Sequence, residues 1–272
     1  MCLLCALLPC MPAFAARDAA PGVTQGEVRL PVVMYHQITD GFSGSGDYVL
    51  SAAQLEKDLI WLRDAGYESV SVKQLLDWFS GVGTLPEKPC MITFDDGYET
   101  TGVIAAPLLE KYGFTGLVAV IGSVAQQYSD LPDHNLRYSH LSWEAVEELA
   151  RGDVLEVQYH SWDMHALSPR KGCNKRRGED EAAYRAVLQA DVERFRSESE
   201  KHGVRLVPSL AYPFGAYCAL TGEVMAEMGF RIAFTCTERV NLLSQRAEGL
   251  IELGRYNRAP GKTSEDFFAK WD

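Results

Sequence analysis

Apolar residues along this chain fall into short unbroken runs separated by stretches in which they recur three and four positions apart. The runs are Pro31-Val32-Val33-Met34-Tyr35, Cys90 to Phe94, Phe114 to Ile121, Val154 to Tyr159, Leu206 to Tyr212, Arg231 to Thr235 and Leu250 to Leu253. Runs without polar alternation predict strands covered on both faces. Between them the spacing turns helical. Ser51-Ala52-Ala53-Gln54 and Ser71-Val72-Lys73-Gln74 each read as a capping box. The first opens a helix with Leu55, Leu59 and Leu62 on one face, closing near Gly66; the second precedes Leu75, Leu76 and Phe79. Further helices are predicted around Val103 to Lys111, Ser142 to Ala150, Glu181 to His202 and Thr221 to Met228, with a long loop carrying Asp133 and His134. Strand and helix in alternation imply an α/β fold, either an open parallel sheet or a (β/α) barrel. The length fits one such barrel as well as two smaller domains; the placement of the polar clusters favours the single-domain barrel.

The polar clusters stand just past predicted strand ends, where such barrels gather their chemistry. Thr93-Phe94-Asp95-Asp96-Gly97 sets two adjacent carboxylates on the turn leaving a buried strand. Like charges that close push their pKa values apart unless a cation sits between them. His160-Ser161-Trp162-Asp163-Met164-His165 follows another apolar run. At helical spacing its two rings would diverge by about 140°, so a shared ligand requires a loop. One carboxylate and two imidazoles make a three-ligand set for one divalent metal ion with a position left for water. Zinc, cobalt, nickel and ferrous iron all suit those donors. The second carboxylate is then free to act as a base. Taken singly, Asp-Asp-Gly also suits a solvated turn, and two histidines five positions apart are commonly unrelated. Their joint placement after strand ends favours the metal.

Composition narrows the partners. With 272 residues, 47% of them hydrophobic, the chain can bury a large core. A formal net charge of -11 argues against a nucleic-acid partner, which needs a basic face. Met1 to Ala16 is apolar and ends in Ala13-Phe14-Ala15, the form of a cleavable signal peptide or its remnant, although no Lys or Arg precedes Arg17. Residues 17–29 read as a linker and residues 30–272 as the domain. A secreted or cell-surface location is expected, with no transmembrane segment. The sequence does not bear on oligomeric state. Outside the leader, Cys90 and Cys236 lie in strand-like runs and read as buried thiols, whereas Cys173 and Cys218 lie in loops that could meet as a disulfide.

Thr93-Phe94-Asp95-Asp96-Gly97, His160-Ser161-x-x-x-His165 and Tyr212-Pro213-Phe214-Gly215, in that order, resemble the polysaccharide deacetylases of carbohydrate esterase family 4. Pro31-Val32-Val33-Met34-Tyr35-His36 narrows the resemblance to the branch acting on poly-β-1,6-N-acetylglucosamine, a biofilm exopolysaccharide. The resemblance covers roughly residues 30 to 260. It implies a distorted (β/α) barrel and metal-dependent hydrolysis of N-acetyl groups on a polysaccharide substrate. It makes Asp95 the general base, Asp96, His160 and His165 the metal ligands, and the Phe214 N–H an oxyanion donor. His36 becomes the acid for the leaving amine, because amide nitrogen leaves poorly unless protonated. Tyr98, Trp162 and Tyr212 are candidates to line the groove, since sugars stack on aromatic rings, with Pro213 of the third motif beside them.

The chain departs from the wider family in two places. Ser209, Leu210 and Ala211 stand where many members carry an Arg that contacts the catalytic carboxylate, and no His follows His202 to supply a C-terminal acid. Both departures favour His36 as the acid. The competing expectations are an O-deacetylase acting on acetyl-xylan and a carbohydrate-binding relative without turnover.

Overall fold

The computed structural model describes residues 26–41, 46–245 and 249–271; the expected leader and residues 17–25 of the expected linker lie outside them. Eight parallel strands carry the fold: β1 Val32–Tyr35, β2 Pro89–Phe94, β3 Gly116–Ile121, β4 Leu155–Ser161, β5 Ser209–Ala211, β6 Ile232–Phe234, β7 Ile251–Leu253 and β8 Tyr256–Asn257. They hydrogen-bond in the order β7-β6-β5-β4-β3-β2-β1-β8, with Glu68–Ser69 added as a short parallel strand at the start of β2. Every residue of β1, β2 and β3 is buried. That explains the unbroken apolar runs, because a parallel strand under crossover helices has no face left for water. The sheet curls into a distorted (β/α) barrel, as the resemblance implied. Its edge strands β7 and β8 are joined by only Gly254 and Arg255, so the chain crosses the seam of the barrel there.

The crossovers use helices α1 Ala52–Asp64, α2 Val72–Phe79, α3 Ala106–Tyr112, α4 Gly122–Asp130, α5 Trp143–Arg151, α6 Glu181–Lys201 and α7 Ala219–Glu227, with α8 Ser264–Phe268 at the end. Both predicted caps form, but differently. Around Ser71 the box is reciprocal, Gln74 N–H donating to Ser71 Oγ at 3.0 Å and Ser71 N–H to Gln74 Oε1 at 2.8 Å. Ser51 caps Gln54 N–H, but the Gln54 amide turns away to Asp58 and Ser264. Donation from Gln54 Nε2 to the buried Asp58 carboxylate fixes the amide in an orientation that does not reach the Ser51 N–H. A π-helical turn, Thr101–Ala105, joins the Asp-Asp-Gly turn to α3, an irregularity common near functional sites.

Several expectations are corrected. The expected long loop begins as α4, whose buried face consists only of Gly122 and Ala125, too little apolar signal for periodicity to register. The run Leu206 to Tyr212 shortens to β5, because Pro208 has no N–H for the ladder. Val28 and Arg29, expected within the linker, instead belong to a strand, Val28–Leu30, antiparallel to Asn241–Leu243. Cys173 and Cys218 are free thiols, and Cys236 is exposed rather than buried. Among the described residues, no helix is long and apolar enough to cross a membrane.

Candidate active site

Asp95 ends the buried run of β2, its N–H donating to Tyr35 O of β1 at 2.9 Å. Asp96 and Gly97 then adopt left-handed conformations, φ 70° and 71°. Aspartate tolerates that region better than most side chains, yet a strained residue persists only where its surroundings over-determine it. The turn sends the adjacent carboxylates to different partners. Asp95 is 3% exposed and faces Arg255, whose guanidinium donates Nη1–H to Oδ1 at 2.7 Å and Nη2–H to Oδ2 at 2.8 Å. Burial alone would raise the Asp95 carboxyl, but Arg255, with His160 and His36, holds it below the ordinary carboxylate value.

Asp96 meets the two histidines. Its Oδ1 lies 3.4 Å from His160 Nε2 and 3.2 Å from His165 Nε2. His160 stands at a β-bulge: Val120 pairs with Tyr159 and Ile121 with Ser161, leaving His160 as the extra residue that the irregularity re-aims. Its Nδ1–H donates to Ala211 O at 2.7 Å, which fixes the tautomer and leaves the Nε2 lone pair facing the carboxylate. His165 follows in a loop, as the spacing required, with its ring centroid 4.4 Å from that of Phe214. Burial would raise the Asp96 carboxyl, but the two imidazoles, when charged and donating from Nε2, hold it well below its usual value.

The donor set fits a divalent cation. One ligand atom each from Asp96, His160 and His165 lies within 4.8 Å of the other two. Ligands about 2.0–2.1 Å from a tetrahedral ion stand about 3.4 Å apart, close to the separations seen here. An anionic oxygen with two neutral nitrogens also matches the charge such an ion prefers.

These groups open into a cavity of about 490 Å³ lined also by His36, Tyr48, Tyr98 and Phe214. His36 sits at the end of β1, with Nδ1 buried and without a hydrogen-bond partner among the described residues. Burial lowers its pKa, although Asp95 and Asp96 pull it back up. Tyr98 stacks on His140 with centroids 4.4 Å apart, and burial, with Asp96 nearby, pushes its phenol up to about 12. Phe214 adopts φ 57° on the turn after β5 and is 39% exposed, its ring facing the cleft.

Other expected groove residues do not reach the cavity. Tyr212 is fully buried and stacks on Tyr217, centroids 4.3 Å apart, because β5 directs it into the layer beneath the helices. Pro213 is buried in the short helical turn that presents Phe214. Trp162 turns outward, its ring near Gly122 and 5.0 Å from the Arg194 guanidinium carbon. Sequence reading missed Arg255, Tyr48 and the cleft position of Cys236. Arg255 had one available signal, a charged residue one glycine past the run Leu250 to Leu253, at a barrel strand end.

The family profile described as Polysaccharide deacetylase matches residues 82–233. The poly-beta-1,6-N-acetyl-D-glucosamine N-deacetylase of Escherichia coli K12 is 25% identical over 227 residues, covering 75% of this chain and 33% of that protein. The chain thus spans about a third of that curated relative. Among solved structures, IcaB from Ammonifex degensii superposes with a TM-score of 0.68 at 25% identity, over 87% of this chain and 94% of that one. A de-N-acetylase from Aggregatibacter actinomycetemcomitans shares the fold, with a TM-score of 0.72 at 21% identity, over 88% of this chain and all of that one. With its barrel, its aspartate-histidine-histidine cluster and this match over more than half its length, the chain belongs to the polysaccharide deacetylase family.

Proposed function

We propose that this protein is a metal-dependent hydrolase that removes N-acetyl groups from an N-acetylglucosamine polysaccharide, with poly-β-1,6-N-acetylglucosamine as the preferred polymer. The observation that carries this reading is the division of the Asp95-Asp96 pair. Asp96 converges with His160 and His165, while Asp95 stays apart on Arg255 and lines the same cavity. A divalent cation held by Asp96, His160 and His165 supplies Lewis acidity toward water and the acetyl carbonyl.

The chain's own groups account for the remaining steps. Asp95, oriented by Arg255, takes the proton from the water that attacks the acetyl carbon. The Phe214 N–H stabilises the developing oxyanion. As the carbon–nitrogen bond breaks, His36 gives its proton to the departing nitrogen, releasing acetate and a free amine. A buried imidazole with a lowered pKa is a ready proton donor once charged. Tyr98 and Tyr48 line the cleft where a sugar ring can stack. The leader-like residues 1–16, ahead of the domain proposed at 30–272, go with action outside the cytoplasm.

The test is release of acetate and free amine from a β-1,6-linked N-acetylglucosamine oligomer, with zinc, cobalt, nickel or ferrous iron added, and with chelator. Turnover that chelator abolishes and metal restores is expected. Acetate released from acetyl-xylan but not from the oligomer would replace this reading with ester hydrolysis. Binding without release of acetate would replace it with a carbohydrate-binding role.

A further inference from the structure

We propose that Asp191, on α6, is a positioning residue that sets the protein's affinity for the divalent cation by clamping the chain between His160 and His165. This rests on the metal reading of the site given above. Asp191 belongs to none of the three sequence motifs and lies outside the cavity that holds the histidines. Its Oδ1 accepts the Trp162 N–H at 2.6 Å and the Tyr159 hydroxyl at 2.5 Å, and its Oδ2 accepts the Asp163 N–H at 2.9 Å. Both main-chain donors lie in the segment joining the two imidazoles.

The same segment is held from its other side. Trp162 O accepts the Ser123 N–H at 2.9 Å, at the start of α4. The Trp162 ring lies so close to Gly122 that a Cβ there would come within 2.6 Å of it. One residue of the loop is therefore gripped through its N–H, its carbonyl and its ring. His160 has a second restraint in its bond to Ala211 O, whereas the side chain of His165 is 25% exposed and depends on the loop for its place.

The chemistry of Asp191 argues against a purely incidental role. It is 9% exposed and forms no salt bridge among the described residues, so no opposite charge offsets its burial. A carboxylate without a counter-charge is costly to bury and persists where its lone pairs are used. Here three donors converge on it, and only an ionised carboxylate offers acceptors alone at both oxygens. Asparagine would keep the Oδ1 bonds but turn an amide N–H against the Asp163 N–H.

The test is calorimetric titration of zinc into the metal-free full chain. Asp191→Asn should weaken zinc binding about tenfold or more, as loss of an outer partner does at other metal sites. Leu188→Ala, also on α6 and buried in the same core, is the control for lost stability and should bind zinc within about twofold of the parent. Unchanged zinc affinity in folded Asp191→Asn, or an equal loss in Leu188→Ala, would overturn the proposal. A parent protein that binds no zinc, cobalt, nickel or ferrous iron would overturn the metal reading itself, and this inference with it. Should Asp191→Asn fail to fold, amide exchange in the metal-free parent decides. The Trp162 and Asp163 amides should be protected, and exchange as fast as in an open loop would end the proposal.

Discussion

Two arginines three residues apart at the barrel seam make the same contact to opposite ends. Arg255 bridges Asp95 with bonds of 2.7 and 2.8 Å, and Arg258 bridges Asp58 with bonds of 2.8 and 3.1 Å. All four side chains are at least nine-tenths buried. The difference lies in what else each carboxylate receives. Asp58 also accepts from Tyr35 Oη at 3.1 Å, Gln54 Nε2 at 3.0 Å and Ser264 Oγ at 2.7 Å, tying β1, α1 and α8 together. Among the described residues, Arg255 is the only side chain that hydrogen-bonds Asp95, and the carboxylate otherwise faces the cleft. A saturated buried ion pair is a structural knot; one left partly unsatisfied beside a cavity keeps lone pairs for a substrate.

Neutralising the two aspartates should separate these roles most clearly. Asp95→Asn is expected to lower kcat by about 10²–10⁴-fold while leaving the zinc affinity of the folded protein close to the parent, and it also costs stability because the buried Arg255 loses its counter-charge. His165→Ala should instead weaken zinc binding itself. Equal zinc loss in both variants would break the division of labour between Asp95 and Asp96. Asp58→Asn leaves the Arg258 charge buried without its partner and should cost about 3–5 kcal/mol of stability in urea unfolding. The kcat of the folded fraction should stay near the parent value, and a loss matching that of Asp95→Asn would erase the contrast.

Arg255→Gln sharpens the comparison through pH. Arg255 is the largest influence holding the Asp95 carboxyl down against burial. Without it the carboxyl rises. A base works only when deprotonated, so the acid limb of the kcat profile should move to higher pH, with activity lost at pH values where the parent still turns over. An unmoved limb would mean that Asp95 is not the group titrating there.

A third bidentate pair, nearer the surface, marks the weak end of the series. Arg170 donates to Glu179 at 2.9 and 2.6 Å in the loop beyond His165, and holds that carboxyl at about 2. Its folded pKa lies below the unfolded value of about 4.3. The stabilisation is therefore complete above that value and drains as pH falls toward 2. Glu179→Gln should lose about 1 kcal/mol at neutral pH and less as pH falls. The same loss at every pH, by thermal or urea unfolding, would show that packing rather than charge is at work.

The motif-bearing strands were legible because each signal was local. β2, β3 and β4 announce themselves as apolar runs, and the Asp-Asp-Gly and His-x4-His clusters stand at their ends. The helix α4 was not legible, since only Gly122 and Ala125 are buried on it. Tyr212 and Trp162 misled for a related reason: an aromatic near a motif does not disclose which side of the sheet or loop it faces, and both turn from the cleft. Arg255 was invisible as a partner of Asp95 because 160 residues separate them. The family position where an arginine was sought holds Ser209-Leu210-Ala211 instead, and the seam of the barrel brings one from the opposite edge.

From the chain alone follow the alternation of strand and helix, the identities of three convergent ligand types and the presence of a spare carboxylate. These depend on residue type and spacing over a few positions, which backbone geometry translates directly. Only the curled sheet and the helices packed on it decide that Asp95 meets Arg255, that the bulge turns His160 inward, and that Asp191 reaches the loop between the histidines. Those contacts join distant parts of the chain, and their distances are set by how the strands curl and the helices pack, a collective property that no single segment encodes.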